Sequence, residues 1–160
     1  FRQLRTKNRR RDRMVNVCRI LFTAGFLSLL AMIAYNDWKT MKIPNKLIII
    51  TGGVGLASTP FFTEISLMER GIGAFCISIL LLIITCIVPG SFGGGDIKLT
   101  AVCGWYLGWR CMMLAFVIAV FSAGIYAVWI MVKKKAGYKT SFPFGPFLCL
   151  GMATAYFLRM

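Results

Sequence analysis

The chain has 160 residues, is 58% hydrophobic and has a mean hydropathy of +0.74, far more apolar than a soluble domain of this size requires. Its 19 Lys and Arg against 5 Asp and Glu give a net charge of +14, and it has no histidine. That excludes a Ser-His-Asp triad, a Cys-His pair and an HExxH zinc site. The positive residues cluster at the ends of apolar runs, so the charge reads as membrane topology and attraction to anionic lipid headgroups, and no nucleic-acid partner is expected.

Six cysteines, Cys18, Cys76, Cys86, Cys103, Cys111 and Cys149, form no CxxC pair. Most lie inside apolar runs, where a free cysteine is a small hydrophobe, so no metal site and no cofactor is expected. The ten-residue alternation of a membrane β-barrel is absent, and the apolar runs predict an all-α polytopic bundle of about six transmembrane helices.

Residues 1–19 form a basic arm, with Arg2, Arg5, Lys7, Arg9, Arg10, Arg11, Arg13 and Arg19 against Asp12. Residues 20–160 read as one membrane-embedded domain. Ile20 to Tyr35 is the first expected span, extended by Val15 to Cys18 if Arg19 snorkels. A polar loop, Lys39 to Lys46, follows, in which Pro44 suits a first helical turn. Leu47 to Phe62 is the second span, Thr63 to Arg70 a loop, and Gly71 to Val88 the third span. The run Pro89-Gly90-Ser91-Phe92-Gly93-Gly94-Gly95-Asp96-Ile97-Lys98 then breaks the apolar sequence, since glycine and proline both weaken a helix. Ile97 to Gly108 is a short fourth span, and Arg110 marks a tight turn. Cys111 to Val132 is the fifth, ending in Lys133-Lys134-Lys135, and Phe142 opens the last, which ends near Leu158.

Counting crossings puts Asp37, after the first span, and Asp96, after the third, on one side of the membrane. Glu64 and Glu69 fall on the other. Lys39, Lys42, Lys46, Lys98, Lys133, Lys134, Lys135 and Lys139 share the side of the two aspartates, which the positive-inside rule makes the cytoplasm. Only the basic arm runs against that count, and three concordant loops outweigh it.

Taken singly, Asp37 reads as a helix-end residue, Asp96 as an N-cap and the glycines as a flexible loop. Together on one face, two carboxylates would share a proton. The ionised one can act as base on water and the protonated one can donate to a peptide carbonyl oxygen. Glycines 93 to 95 would let a substrate backbone approach unobstructed, and Lys98 could tune the charge of Asp96.

Gly93-x-Gly95-Asp96 with Lys98 resembles the GxGD motif of the type IV prepilin peptidase family, integral-membrane aspartic peptidases. Asp37 with Ile43-Pro44-Asn45 is similar to that family's first aspartate motif, and Pro143-Phe144-Gly145-Pro146-Phe147 to its C-terminal segment. The resemblance implies that Asp37 and Asp96 are the catalytic pair. Gly93, Gly95, Lys98, Ile43, Pro44, Asn45, Pro143, Gly145 and Pro146 would shape the site or bind substrate. The implied activity is endopeptidase cleavage, at the cytoplasmic face of the inner membrane, of the leader of a pilin, pseudopilin or Flp-type precursor, for pilus assembly or secretion. The chain resembles the short, peptidase-only members and carries no CxxC domain of the kind associated with N-methylation. From other classes, a proton- or cation-coupled transporter using the same carboxylates and a membrane scaffold remain alternatives, although no inverted repeat supports a transporter.

Overall fold

The computed structural model describes residues 2–89, 91–134 and 143–159, with side chains for 13–89, 91–133 and 143–159. Gly90, Lys135, Lys139 and Phe142 lie outside the described residues. Six helices form the described chain: α1 (Arg2–Thr40), α2 (Asn45–Ser58), α3 (Leu67–Ile87), α4 (Gly94–Leu107), α5 (Trp109–Lys134) and α6 (Gly145–Arg159). No strand occurs among the described residues.

The helices fall into two length classes. Arg13–Thr40, Leu67–Ile87 and Trp109–Lys133 are long and apolar enough to cross a membrane. The other three, α2, α4 and α6, have 14, 14 and 15 residues. At 1.5 Å per residue these reach about 21 to 23 Å, short of a hydrocarbon core of about 30 Å. All three begin at the end of the bundle where α1 finishes. Short helices are sufficient there because they pack against neighbours; α4 contacts α2, α3, α5 and α6.

Small residues make the close contacts. A Cβ on Gly73 of α3 would stand 2.5 Å from the carbonyl oxygen of Gly104 on α4, and one on Gly104 would collide with the Gly73 carbonyl in return. One on Gly151 of α6 would strike the Ala115 carbonyl of α5. In a membrane, where lipid is as apolar as the helices, such close backbone approach supplies the packing. Ser78 adds polar ties from α3 to α4, through the Ile97 carbonyl at 3.1 Å and the Thr100 hydroxyl at 3.0 Å. At the centre, Tyr106 stacks on Phe26 with ring centroids 4.1 Å apart.

Several boundaries depart from the sequence expectation. The first helix runs unbroken from Arg2, so the basic arm continues the first span as helix. Arg19 does not snorkel to water alone: it pairs with Glu64 at 2.8 Å and donates to the Phe61 carbonyl at 2.7 Å. Helix α3 starts at Leu67, inside the expected loop, because Ser66 and Glu69 form a capping box. The turn between α4 and α5 is made by Gly108, at φ +77, and Arg110 is already helical. Pro44 stands at the N-cap of α2, one place before its first turn.

Candidate active site

Asp37 lies near the end of α1 and is only 5% exposed. Its Oδ2 accepts the backbone N–H of Gly145, the first residue of α6, at 3.0 Å. A Cβ on Gly145 would stand 2.5 Å from that oxygen, so this position requires glycine for space. The bond also sets the carboxylate against the electropositive end of α6, which favours the anion.

Asp96 is the third residue of α4 and is 7% exposed. The helix begins inside the glycine run, since Gly94 and Gly95 are both helical and Gly93 is the N-cap. The expectation that this run would stay non-helical fails at its last two glycines. Gly95 lies against the connection before α2, where a Cβ on it would stand 2.9 Å from the Cβ of Ile43. The Asp96 carboxylate accepts a backbone hydrogen bond from Gly93. Its Oδ1 is buried with no hydrogen-bond partner. Burial first and the Asp37 carboxylate second push the acid up to about 6, with the Gly93 bond pulling the other way. The two carboxylates are therefore close enough to feel each other's charge.

The remaining sequence-predicted residues gather around this pair in different ways. Lys98 donates to Asn45 Oδ1 at 3.4 Å, joining α4 to the start of α2. Pro143 precedes α6, and Pro146 is its second residue, where a missing N–H costs nothing because the first-turn donors have no intrahelical partner.

Two aromatic residues were not singled out by sequence. The rings of Phe92 and Phe144 meet edge to face, centroids 5.0 Å apart at 66°. Each precedes the glycine whose backbone holds one of the aspartates. The repeated Phe-Gly dipeptide, at 92–93 and 144–145, was the available signal. Cys149, one turn along α6 from Gly145, is 4% exposed and within electrostatic reach of both carboxylates. Among the described residues no group of three or more metal-ligating side chains comes together.

The fold defines an all-helical membrane bundle in which two buried aspartates, held by the backbone of two Phe-Gly segments, lie within electrostatic reach at one end. The chain belongs to the type IV leader peptidase family, whose model matches residues 24–128, a stretch containing both aspartates. Its relatives include the prepilin leader peptidase/N-methyltransferase of Bacillus subtilis (strain 168), 32% identical over 132 residues, which are 82% of this chain and 53% of that protein. The protein of the same name in Burkholderia pseudomallei (strain K96243) is 32% identical over 140 residues, 81% of this chain and 43% of that one. That of Pectobacterium carotovorum subsp. carotovorum is 30% identical over 131 residues, 78% and 47% respectively. The chain thus spans about half the length of the curated relatives it matches. No solved structure gives a significant match.

Proposed function

We propose that the chain is an aspartic endopeptidase that removes the leader from type IV prepilin-like precursors. The observation that carries this reading is the pair of buried aspartates, Asp37 and Asp96, within electrostatic reach of each other at the glycine-lined end of the bundle. Family membership supports the substrate class.

The two acids divide the work by their surroundings. Both accept a backbone N–H at a helix start, Asp37 from Gly145 and Asp96 from Gly93, and Asp37, which has no orphaned carboxylate oxygen, is the anion and acts as general base. Asp96, whose Oδ1 has no donor facing it, holds the shared proton there. Asp37 takes a proton from water as the water oxygen bonds to the peptide carbonyl carbon. Asp96 gives its proton to the carbonyl oxygen, yielding a neutral tetrahedral diol. Collapse re-forms the carbonyl as one diol hydroxyl returns its proton to Asp96, breaks the C–N bond and delivers the proton gained by Asp37 to the leaving amine, restoring both acids. The balance requires only water and substrate.

The aspartate end is read as cytoplasmic in an inner membrane, from Lys39, Lys42, Lys46, Lys98, Lys133 and Lys134 at the ends of helices that finish or start there. The basic arm would add attraction to anionic headgroups.

The test is cleavage of a prepilin-type peptide by purified protein in lipid, wild type beside Asp37→Asn and Asp96→Asn. Wild type is expected to cut after the leader glycine, with each variant folded but slower by at least about 100-fold. Cleavage retained in both variants overturns the paired-aspartate mechanism, and no cleavage of any pilin leader by wild type overturns the peptidase reading.

A further inference from the structure

The opposite end of the bundle gathers Arg19, Arg70, Arg110 and Arg159 against two acids, Glu64 and Glu69, an excess of positive charge. Arg70 is 0% exposed and donates to the carbonyls of Phe62 at 2.8 Å, Trp105 at 3.2 Å and Ile65 at 3.4 Å. Arg159 donates to the Leu107 carbonyl at 2.9 Å, and Arg110 lies over the Trp109 ring at 5.5 Å. Carbonyl dipoles and a ring face solvate these guanidiniums but carry no net negative charge; Arg70 is buried, while Arg110 and Arg159 are exposed and open to an external anion. The one ion pair among the described residues uses Glu64, and it is taken by Arg19. Glu69 is engaged by the backbone and hydroxyl of Ser66. Arg70 and Arg159 are close enough to repel each other.

A cavity of about 280 Å³ opens at this cluster, lined by Arg110, Arg159, Trp109 and Gly108, with Glu64 and Glu69 also on its wall. Helix α5 starts there, so the N–H groups of its first turn have no intrahelical acceptor. The helix surfaces leading away from the cavity are apolar and exposed: Ile72 and Phe75 on α3, Met113, Leu114 and Val117 on α5. Trp109 and Arg110 stand where a crossing helix meets headgroups.

We propose that this cavity binds the phosphodiester headgroup of a membrane phospholipid, with Arg110 and Arg159 as the guanidinium donors and the acyl chains lying on the apolar faces of α3 and α5. Arg70 supplies fixed positive charge behind the site. Guanidinium suits this ligand because its planar fork matches paired phosphate oxygens. Glu64 and Glu69 leave room for a headgroup amine and disfavour a free, doubly charged phosphate. The site is independent of the peptidase reading.

The experiment is native mass spectrometry of delipidated full-length protein, with phosphatidylethanolamine, phosphatidylglycerol or a neutral diacylglycerol added back, for wild type and Arg110→Gln. That side chain is exposed and lies over the Trp109 ring, so its loss is expected to leave the fold intact, which helical circular dichroism checks. Wild type is expected to retain one phospholipid that Arg110→Gln holds about tenfold more weakly, and to bind no diacylglycerol with comparable strength. Equal retention by the variant overturns the proposal, as does equal retention of diacylglycerol. Displacement of the lipid by inorganic phosphate at millimolar concentration also overturns it, assigning the cavity to a free anion instead.

Discussion

Asp37 and Gly145, 108 positions apart, meet as a carboxylate oxygen and a backbone N–H at 3.0 Å. That single bond fixes the end of α1 against the start of α6. It also leaves no room for a side chain at position 145. Gly145→Ala is therefore expected to push the Asp37 carboxylate aside, because its Cβ would stand 2.5 Å from Oδ2. A displacement near 1 Å at a reacting group costs on the order of 100-fold in rate. Peptide cleavage by the alanine variant should fall by about that factor in kcat, with KM little changed and helical content intact. A variant with normal kcat would detach Asp37 from the chemistry.

The raised pKa of Asp96 has a stability consequence with a definite sign. Its ordinary value is 3.8 and its folded value about 6, so the native state holds the proton more tightly than the unfolded chain. The resulting stabilisation is complete below 3.8 and is lost as pH rises through about 6. At pH 8 the wild type has lost on the order of 3 kcal/mol relative to acid conditions from this group. Asp96→Asn stays neutral throughout. The difference in melting temperature between variant and wild type in detergent should grow, in favour of the variant, from pH 4 to pH 8. A pH-independent difference would show that Asp96 is not strained by ionising.

Phe92 and Phe144 offer a separate handle on the same end of the bundle. Their edge-to-face contact at 5.0 Å joins the segment that holds Asp96 to the segment that holds Asp37. Such a pair is worth about 1 kcal/mol beyond its buried area. Phe92→Ala and Phe144→Ala should each lower kcat by about tenfold, and the double variant should be little worse than either. A double-mutant cycle on kcat should give a coupling of about 1 kcal/mol. Additive losses would mean that the rings act separately.

The helices and the common end of the two aspartates were legible because carboxylates are scarce here and the apolar runs can be counted. Alternation of span and loop is enough to sort Asp37 and Asp96 from Glu64 and Glu69. What the sequence concealed is tertiary. Helix α3 begins early through Ser66 and Glu69, a spacing that is present in the sequence but hidden beside a longer apolar run. Glycines 94 and 95 are helical although the run is glycine-rich, and nothing local announces that Ile43 packs where a Gly95 side chain would be. Lys98 ties α4 to the start of α2 through Asn45, a contact that its place in the sequence does not announce. Arg70 looked like a loop residue marking topology and is instead wholly enclosed. A bundle with lipid-facing and core-facing sides that are both apolar has little amphipathic signal, so burial was the least readable property.

The last prediction concerns the packing that carries Asp96. Gly73 and Gly104 place the backbones of α3 and α4 against each other, with no space for a Cβ on either side. A neighbouring side chain could swing away from an added methyl, but a carbonyl within a helix cannot. Gly104→Ala must therefore move α4 bodily away from α3, breaking the Ser78 ties to Ile97 and Thr100. Overpacking of this kind costs about 1 to 3 kcal/mol where side chains can adjust, and here the upper end applies. Gly52 and Gly53 on α2 are the controls: a Cβ at Gly52 would make ordinary contact with Val102 at 3.6 Å, and one at Gly53 would meet nothing within 4 Å. Thermal unfolding in detergent should place Gly104→Ala well below wild type, with Gly52→Ala and Gly53→Ala unchanged or slightly higher because alanine is the better helix former. Since α4 presents Asp96 at its other end, the Gly104 variant should also lose peptide cleavage at temperatures where it remains folded. A Gly104→Ala protein that melts like wild type would mean that α3 and α4 do not meet through these backbones.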